Sequence, residues 1–182
     1  MARSYSVEDP VQFNYYYDGK SPITSLHSHA LYEIYYFHEG KCNYLIGDKI
    51  YALEPGDLLL MHGLTLHYAN VDWRYKYVRT AIHFDPEYIE NVFRGEGLLS
   101  PLEPFRKLLN HRLQLQGEMK LEAETFLLRM HHYFQRDDPV SRNRFLLALL
   151  DFLHFIYELC QSSLQDKSRQ PTEKERYVQN II

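Results

Sequence analysis

His27, His29 and Glu33 lie within the stretch LHSHALYEIYYFHEG, Leu26 to Gly40, at odd-numbered positions. In an extended chain alternate residues share a face, so all three can project into one space, with Tyr35 and Phe37 continuing that face deeper. His67 follows a second turn-and-strand run, EPGDLLLMHGLTLH, and can close a four-ligand set. Three imidazoles and one carboxylate suit Zn, Ni, Fe or Mn, provided each ligand is unprotonated and aligned beforehand. The same groups also suit hydrogen bonding to a small ligand or water. A divalent transition metal as cofactor and a purely polar lining are therefore both open readings.

These residues must be carried by short strands. Val11 to Tyr17 (VQFNYYY) is rich in aromatic residues and ends at Asp18-Gly19, and Leu31 to His38 is dense in Ile, Tyr and Phe and ends at Glu39-Gly40. Lys41 to Ile46 pairs with Lys49 to Leu53 across Gly47-Asp48, where glycine can adopt the positive φ of a tight hairpin. Asp57 to Met61, Thr65 to Ala69 and Tyr75 to Phe84 follow. Strands this short and regularly spaced predict a closed antiparallel barrel or double sheet. In it His38, at an even position, points outward. His62 and His83 fall near the rim without an assigned role, and His111, His131 and His132 read as surface residues.

After Asp85-Pro86 the pattern becomes helical. PEYIENVF predicts a short helix opening with Pro86 in its first turn, Gly95 to Pro104 a connector, and His111 to Leu115 one further strand. Met119, Ala123, Phe126, Leu127, Met130 and Phe134 form the apolar stripe of an amphipathic helix. A second helix, from about Ser141 to Gln161, confines its polar residues to one narrow stripe: Arg144, Asp151, His154, Glu158 and Gln161. Its apolar arc is wider than one core requires, which predicts burial on two sides, either against a second copy in a homodimer or wholly within its own domain. Ser162 to Glu175 is polar and reads as a linker, and RYVQNII begins an apolar element where the chain stops, as a truncated protein would.

Composition narrows the function classes. The 182 residues carry a net charge of -4, which argues against this chain gripping DNA by itself. Cys42 and Cys160 have no CxxC spacing and suit a reducing cytoplasm. The N-terminus lacks the apolar run of a signal peptide, and no stretch is apolar enough to span a bilayer, so a cytoplasmic protein is expected. Sixteen tyrosines and ten phenylalanines can fill a core or line a pocket.

With the strands placed, His27-Ser28-His29, Glu33 and Gly40 resemble the first metal-binding motif of the cupin superfamily, and Pro55-Gly56-Asp57 with His67 and Asn70 resembles the second. Ser21 stands where a glycine is usual, and Asn70 lies one residue closer to His67 than the common spacing. The resemblance implies a double-stranded β-barrel (jelly roll) followed by two or three α-helices, with His27, His29, Glu33 and His67 as metal ligands. EIYYFHEG, GDKIYALEPGDLLL, the AIHF strand and the helices further resemble the N-terminal domain of AraC-type transcription regulators. That implies an N-terminal arm at residues 1–10, an effector-binding barrel at 11–85, a helical dimerisation region at 86–162, and a linker at 163–182 toward a helix-turn-helix domain that contacts DNA.

Two functions follow. The first is a sensor in which a small polar effector such as a carbohydrate binds the barrel, walled by Tyr35, Phe37 and Tyr44 with Tyr15 or Tyr17 and capped by Trp73. The second is a metal-dependent cupin enzyme, an oxygenase or isomerase, using an open coordination position. The helices and linker after the barrel favour the sensor, and no dedicated general acid or base stands beside the four ligands.

Overall fold

The structure is a computed structural model that describes residues 9–19, 25–95 and 97–169. Eight strands form two antiparallel sheets: β1 (Val11–Tyr17), β2 (Tyr32–Glu39), β3 (Cys42–Ile46), β4 (Lys49–Ala52), β5 (Asp57–Met61), β6 (His67–Val71), β7 (Val78–Phe84) and β8 (Asn110–Gln114). The larger sheet has the order β1-β7-β2-β5-β8 and the smaller β4-β3-β6. The protein is thus mainly β, a cupin-like barrel with C-terminal helices. Gly47, at φ 60°, makes the expected hairpin between β3 and β4.

The period-2 alternation of the strands divides the apolar residues between two cores. Tyr35, Phe37, Cys42, Tyr44, Ile46, Leu59 and Met61 face the lumen between the sheets. Ile34, Tyr36, Leu58, Leu60, Ile82 and Phe84, on the other face of the large sheet, join the helices in a second core.

Five helices follow β7, three of them short: α1 (Pro86–Val92), α2 (Glu103–Leu108), α3 (Gly117–Phe134), α4 (Pro139–Leu159) and α5 (Gln161–Arg169). Asp85 caps α1, its carboxylate accepting from the Glu87 amide, and Asp138 caps α4 through the Ser141 amide and hydroxyl. Two expected boundaries shift. The barrel does not end at residue 85, because β8 pairs with β5 from within the helical region, where Arg112 makes two hydrogen bonds of 3.0 and 2.7 Å to the buried Asp57 carboxylate. The linker expected from residue 163 begins as helix α5, which docks through buried Leu164. The arm at residues 1–8 and the linker beyond residue 169 lie outside the described residues.

Helix α4 finds both of its covers within the chain. Phe145, Ala148, Leu149, Phe152, Leu153, Phe155 and Ile156 are all buried in the helix-side core, where α4 meets α2, α3 and α5. Of its apolar residues Val140 and Leu147 are exposed, and on α3 so are Leu121 and Leu128. Among the described residues no single helix is long and apolar enough to cross a membrane; α4 and Gln161–Lys167 of α5 pass that test only as a pair bent by 57°.

Candidate metal centre and effector barrel

The histidine segment before β2 is not a regular strand. A pair of reciprocal backbone hydrogen bonds ties it to β6, His27 N to His67 O at 3.1 Å and His67 N to His27 O at 2.9 Å. The His29 amide donates to the Gly63 carbonyl at 3.1 Å, and a side chain at Gly63 would strike the carbonyls of His29, Ala30 and Leu31. Glycine there lets the segment run close against the turn that follows β5. The result brings together all four residues that the sequence singled out.

Glu33 is the hub. Its Oε2 lies 3.4 Å from His29 Nε2, 3.4 Å from His67 Nε2 and 3.3 Å from His83 Nε2. His27 completes the outer edge, its ring 4.2 Å from that of His67. Two ligand triads share His29: His27, His29 and His67, and His29, Glu33 and His83. His83 is the member that sequence reading left without a role. It enters because β7 pairs with β2 in a register that sets His83 directly opposite Glu33.

Three Nδ1 atoms contact backbone carbonyls two residues away: His27 to Ser25 at 3.2 Å, His29 to Leu31 at 2.9 Å and His67 to Thr65 at 2.8 Å. A carbonyl can only accept, so each Nδ1 carries the proton and each Nε2 presents a lone pair. For His29 and His67 that lone pair faces the Glu33 carboxylate. Their Nε2 atoms, Glu33 Oε2 and His83 Nδ1 are buried with no hydrogen-bond partner among the described residues. In the neutral imidazoles, lone pairs converging on a buried carboxylate are the arrangement that a shared cation satisfies. A metal with bonds of about 2.1 Å sets tetrahedral ligands about 3.4 Å apart, which matches the spacing of the three Nε2 atoms from Glu33 Oε2. The donor set therefore fits a divalent transition metal.

Burial and mutual charge set the protonation of the cluster. Burial raises the Glu33 pKa, but His83, His29 and His67 outweigh it and hold the carboxyl well below its usual range. Burial pushes the His67 pKa down, in part against the attraction of Glu33, which keeps that imidazole available as a donor. For His83 burial also works against the charge, and Glu33 reverses it and raises the pKa.

The predicted effector wall divides. Tyr35, Phe37 and Tyr44 are buried in the lumen, with the Tyr35 hydroxyl bonded to that of Tyr77. Tyr15 is not a lumen residue. β1 turns Phe13 and Tyr15 toward the helices, where Tyr15 stacks on His131 at 4.4 Å. Tyr17 follows a bulge, with Tyr16 at φ 47°, and its ring lies against the Arg79 guanidinium at 4.5 Å. Trp73, half-exposed, stands edge-on to Tyr77 at 5.7 Å. Tyr17, Trp73, Tyr77 and Arg79 thus occupy the end of the barrel remote from the histidines. His38 points away from the lumen as expected, though under α3 rather than into solvent, with Nε2 2.8 Å from the Thr80 hydroxyl.

Comparison with known proteins agrees with this architecture. No curated protein matches the chain. Among solved structures, the apo form of a ToxT variant from Vibrio cholerae strain SCE256 superposes with a TM-score of 0.55 at 8% identity, covering 85% of this chain and 57% of that one. The AraC-like transcriptional activator CuxR gives a TM-score of 0.45 at 8% identity, covering 69% of this chain and 43% of that one. The chain thus spans little more than half the length of the ToxT structure. The family model described as the AraC-like ligand binding domain matches residues 15–151. The chain therefore belongs to the AraC-like ligand-binding domains of transcription regulators.

Proposed function

We propose that this domain senses a small polar effector, such as a carbohydrate, at a barrel whose histidine end holds a divalent transition metal. His29, Glu33 and His67 are the inner ligands, His83 the fourth, and His27 flanks the open side. The observation that carries this reading is the convergence of three imidazole Nε2 atoms on Glu33 Oε2 at 3.3–3.4 Å. The metal supplies a Lewis-acidic position for an effector oxygen, while the chain's residues fix the imidazole tautomers and exclude water beneath. Tyr35, Phe37, Tyr44 and Met61 fill the lumen below the cluster.

In a full-length regulator the signal passes to a DNA-binding domain beyond residue 182. Binding biases that domain only if the effector has different affinities for two arrangements of the protein. Homodimerisation would draw on exposed apolar residues of the two long helices, Leu121 and Leu128 of α3 and Val140 and Leu147 of α4. Metal analysis of the purified protein and of His67→Ala tests the metal. Stoichiometric metal in the parent and its loss in the variant are expected; absence from both overturns the reading. Turnover of small oxidisable or isomerisable substrates by the metal-loaded protein would favour the enzyme alternative instead.

A further inference from the structure

At the barrel end opposite the histidines a buried cation has no acidic partner among the described residues. Arg79 projects from β7 on the same face as His83, four residues further along, and is 8% exposed. Its guanidinium lies between the rings of Tyr17 and Tyr77, at 4.5 and 4.6 Å. Nη1 donates to the carbonyls of Tyr17 at 3.3 Å and Gly19 at 2.7 Å. Nε and Nη2 make no hydrogen bond among the described residues, and no carboxylate of those residues lies within ion-pair distance of Arg79. Arg112, on the same sheet, shows the contrast, since it meets Asp57 with two hydrogen bonds.

A guanidinium taken out of water is costly unless it is paired. Two carbonyls and two ring faces offset part of that cost, but no negative charge of the described residues does. The Cys42 thiol cannot supply one: burial pushes its pKa up to about 12 although Tyr77 and Arg79 pull the other way. Glu33 is committed to the histidines. The surroundings are open on one side, because Tyr17 and Trp73 are 42% and 49% exposed.

We propose that Arg79 anchors a second ligand site, separate from the histidine cluster, which takes the carboxylate of a small organic acid against the Tyr17 and Trp73 rings. The unused Nε and Nη2 offer the two parallel donors that a carboxylate accepts, and the rings receive the apolar or C–H faces of the same molecule. The site does not depend on metal binding at the other end.

The test uses D-galacturonate and benzoate, each against its neutral counterpart, D-galactose and benzamide. Binding is followed by calorimetry and by the fluorescence of Trp73, the chain's single tryptophan. At least one acid should bind about tenfold or more tightly than its neutral counterpart, with a comparable loss in Arg79→Met and a smaller one in Arg79→Lys. Metal uptake should be unchanged in both variants, which separates this site from the histidine site. If neither acid is preferred over its counterpart, or if folded Arg79→Met keeps the preference, the site is refuted and Arg79 only ties the Tyr17–Gly19 turn to β7. Should Arg79→Met not fold, the acid-versus-neutral comparison on the parent protein decides.

Discussion

Replacing His67 by alanine removes the most buried imidazole of the cluster, 1% exposed, together with one of the three nitrogens that face Glu33 Oε2. A four-ligand zinc site in a protein contributes about 10–16 kcal/mol, so each ligand accounts for about 2.5–4 kcal/mol. Loss of one should therefore weaken zinc about 100- to 1000-fold. The geometry also ranks the remaining histidines. His83 Nε2 sits 3.3 Å from Glu33 Oε2, at the spacing of a tetrahedral edge, whereas among the described residues His27 forms no ion pair with Glu33, and its 3.2 Å contact to the Ser25 carbonyl is longer than the 2.9 and 2.8 Å contacts that orient His29 and His67. His83→Ala should thus cost more than His27→Ala, the latter staying within about tenfold of the parent. Competition of each variant with a chromophoric zinc chelator at neutral pH reads these affinities, and circular dichroism reports whether the fold is kept. Parental affinity in folded His67→Ala would refute the assigned ligand set, and a larger loss in His27→Ala than in His83→Ala would refute the ranking.

Gly63→Ala should place a methyl against the carbonyls of Ala30 and His29, at 2.7 Å each; urea melts should show about 1–3 kcal/mol of lost stability and the chelator assay weaker zinc binding. Asp57→Ala leaves Arg112 without its two hydrogen bonds to the buried carboxylate while the backbone pairing of β8 with β5 remains, so urea denaturation should lose about 3 kcal/mol, and a loss under 1 kcal/mol would show that the pair contributes little. His38 has its pKa lowered to about 4 by burial and by Lys120, against 6.5 for the free side chain. The unfolded chain then binds the extra proton first, so stability is full above pH 6.5 and declines as pH falls toward 4. After allowance for partial exposure the loss is about 1–2 kcal/mol, and His38→Gln should flatten the slope of urea-derived stability across that interval.

Local rules carried much of this molecule and stopped where long-range pairing began. The alternation from Glu33 to Phe37 correctly grouped Glu33, Tyr35 and Phe37, because a strand's period is a property of its own backbone. Period alone says which residues share a face and not which face looks inward. It therefore leaves Tyr15 and Tyr17 as equal candidates for the wall, and it is the aromatic cluster of Phe13, Phe134 and Phe145 that draws the Tyr15 side of β1 to the helices. His83 was invisible for a related reason: its place opposite Glu33 depends on a register between strands some fifty residues apart. One local signal did exist. In β7 the outer positions Ile82 and Phe84 are apolar while Arg79 and His83 occupy the alternate face, and a strand covered by helices on one side must turn its polar side toward the lumen. The same logic applies to α4, whose wide apolar arc was rightly read as needing two covers, yet α2, α3 and α5 of the same chain provide them. What the surface of α4 leaves exposed and apolar is narrow, Val140 and Leu147, less than the area a stable dimer buries, so a dimer through α4 needs further surface beyond these two residues.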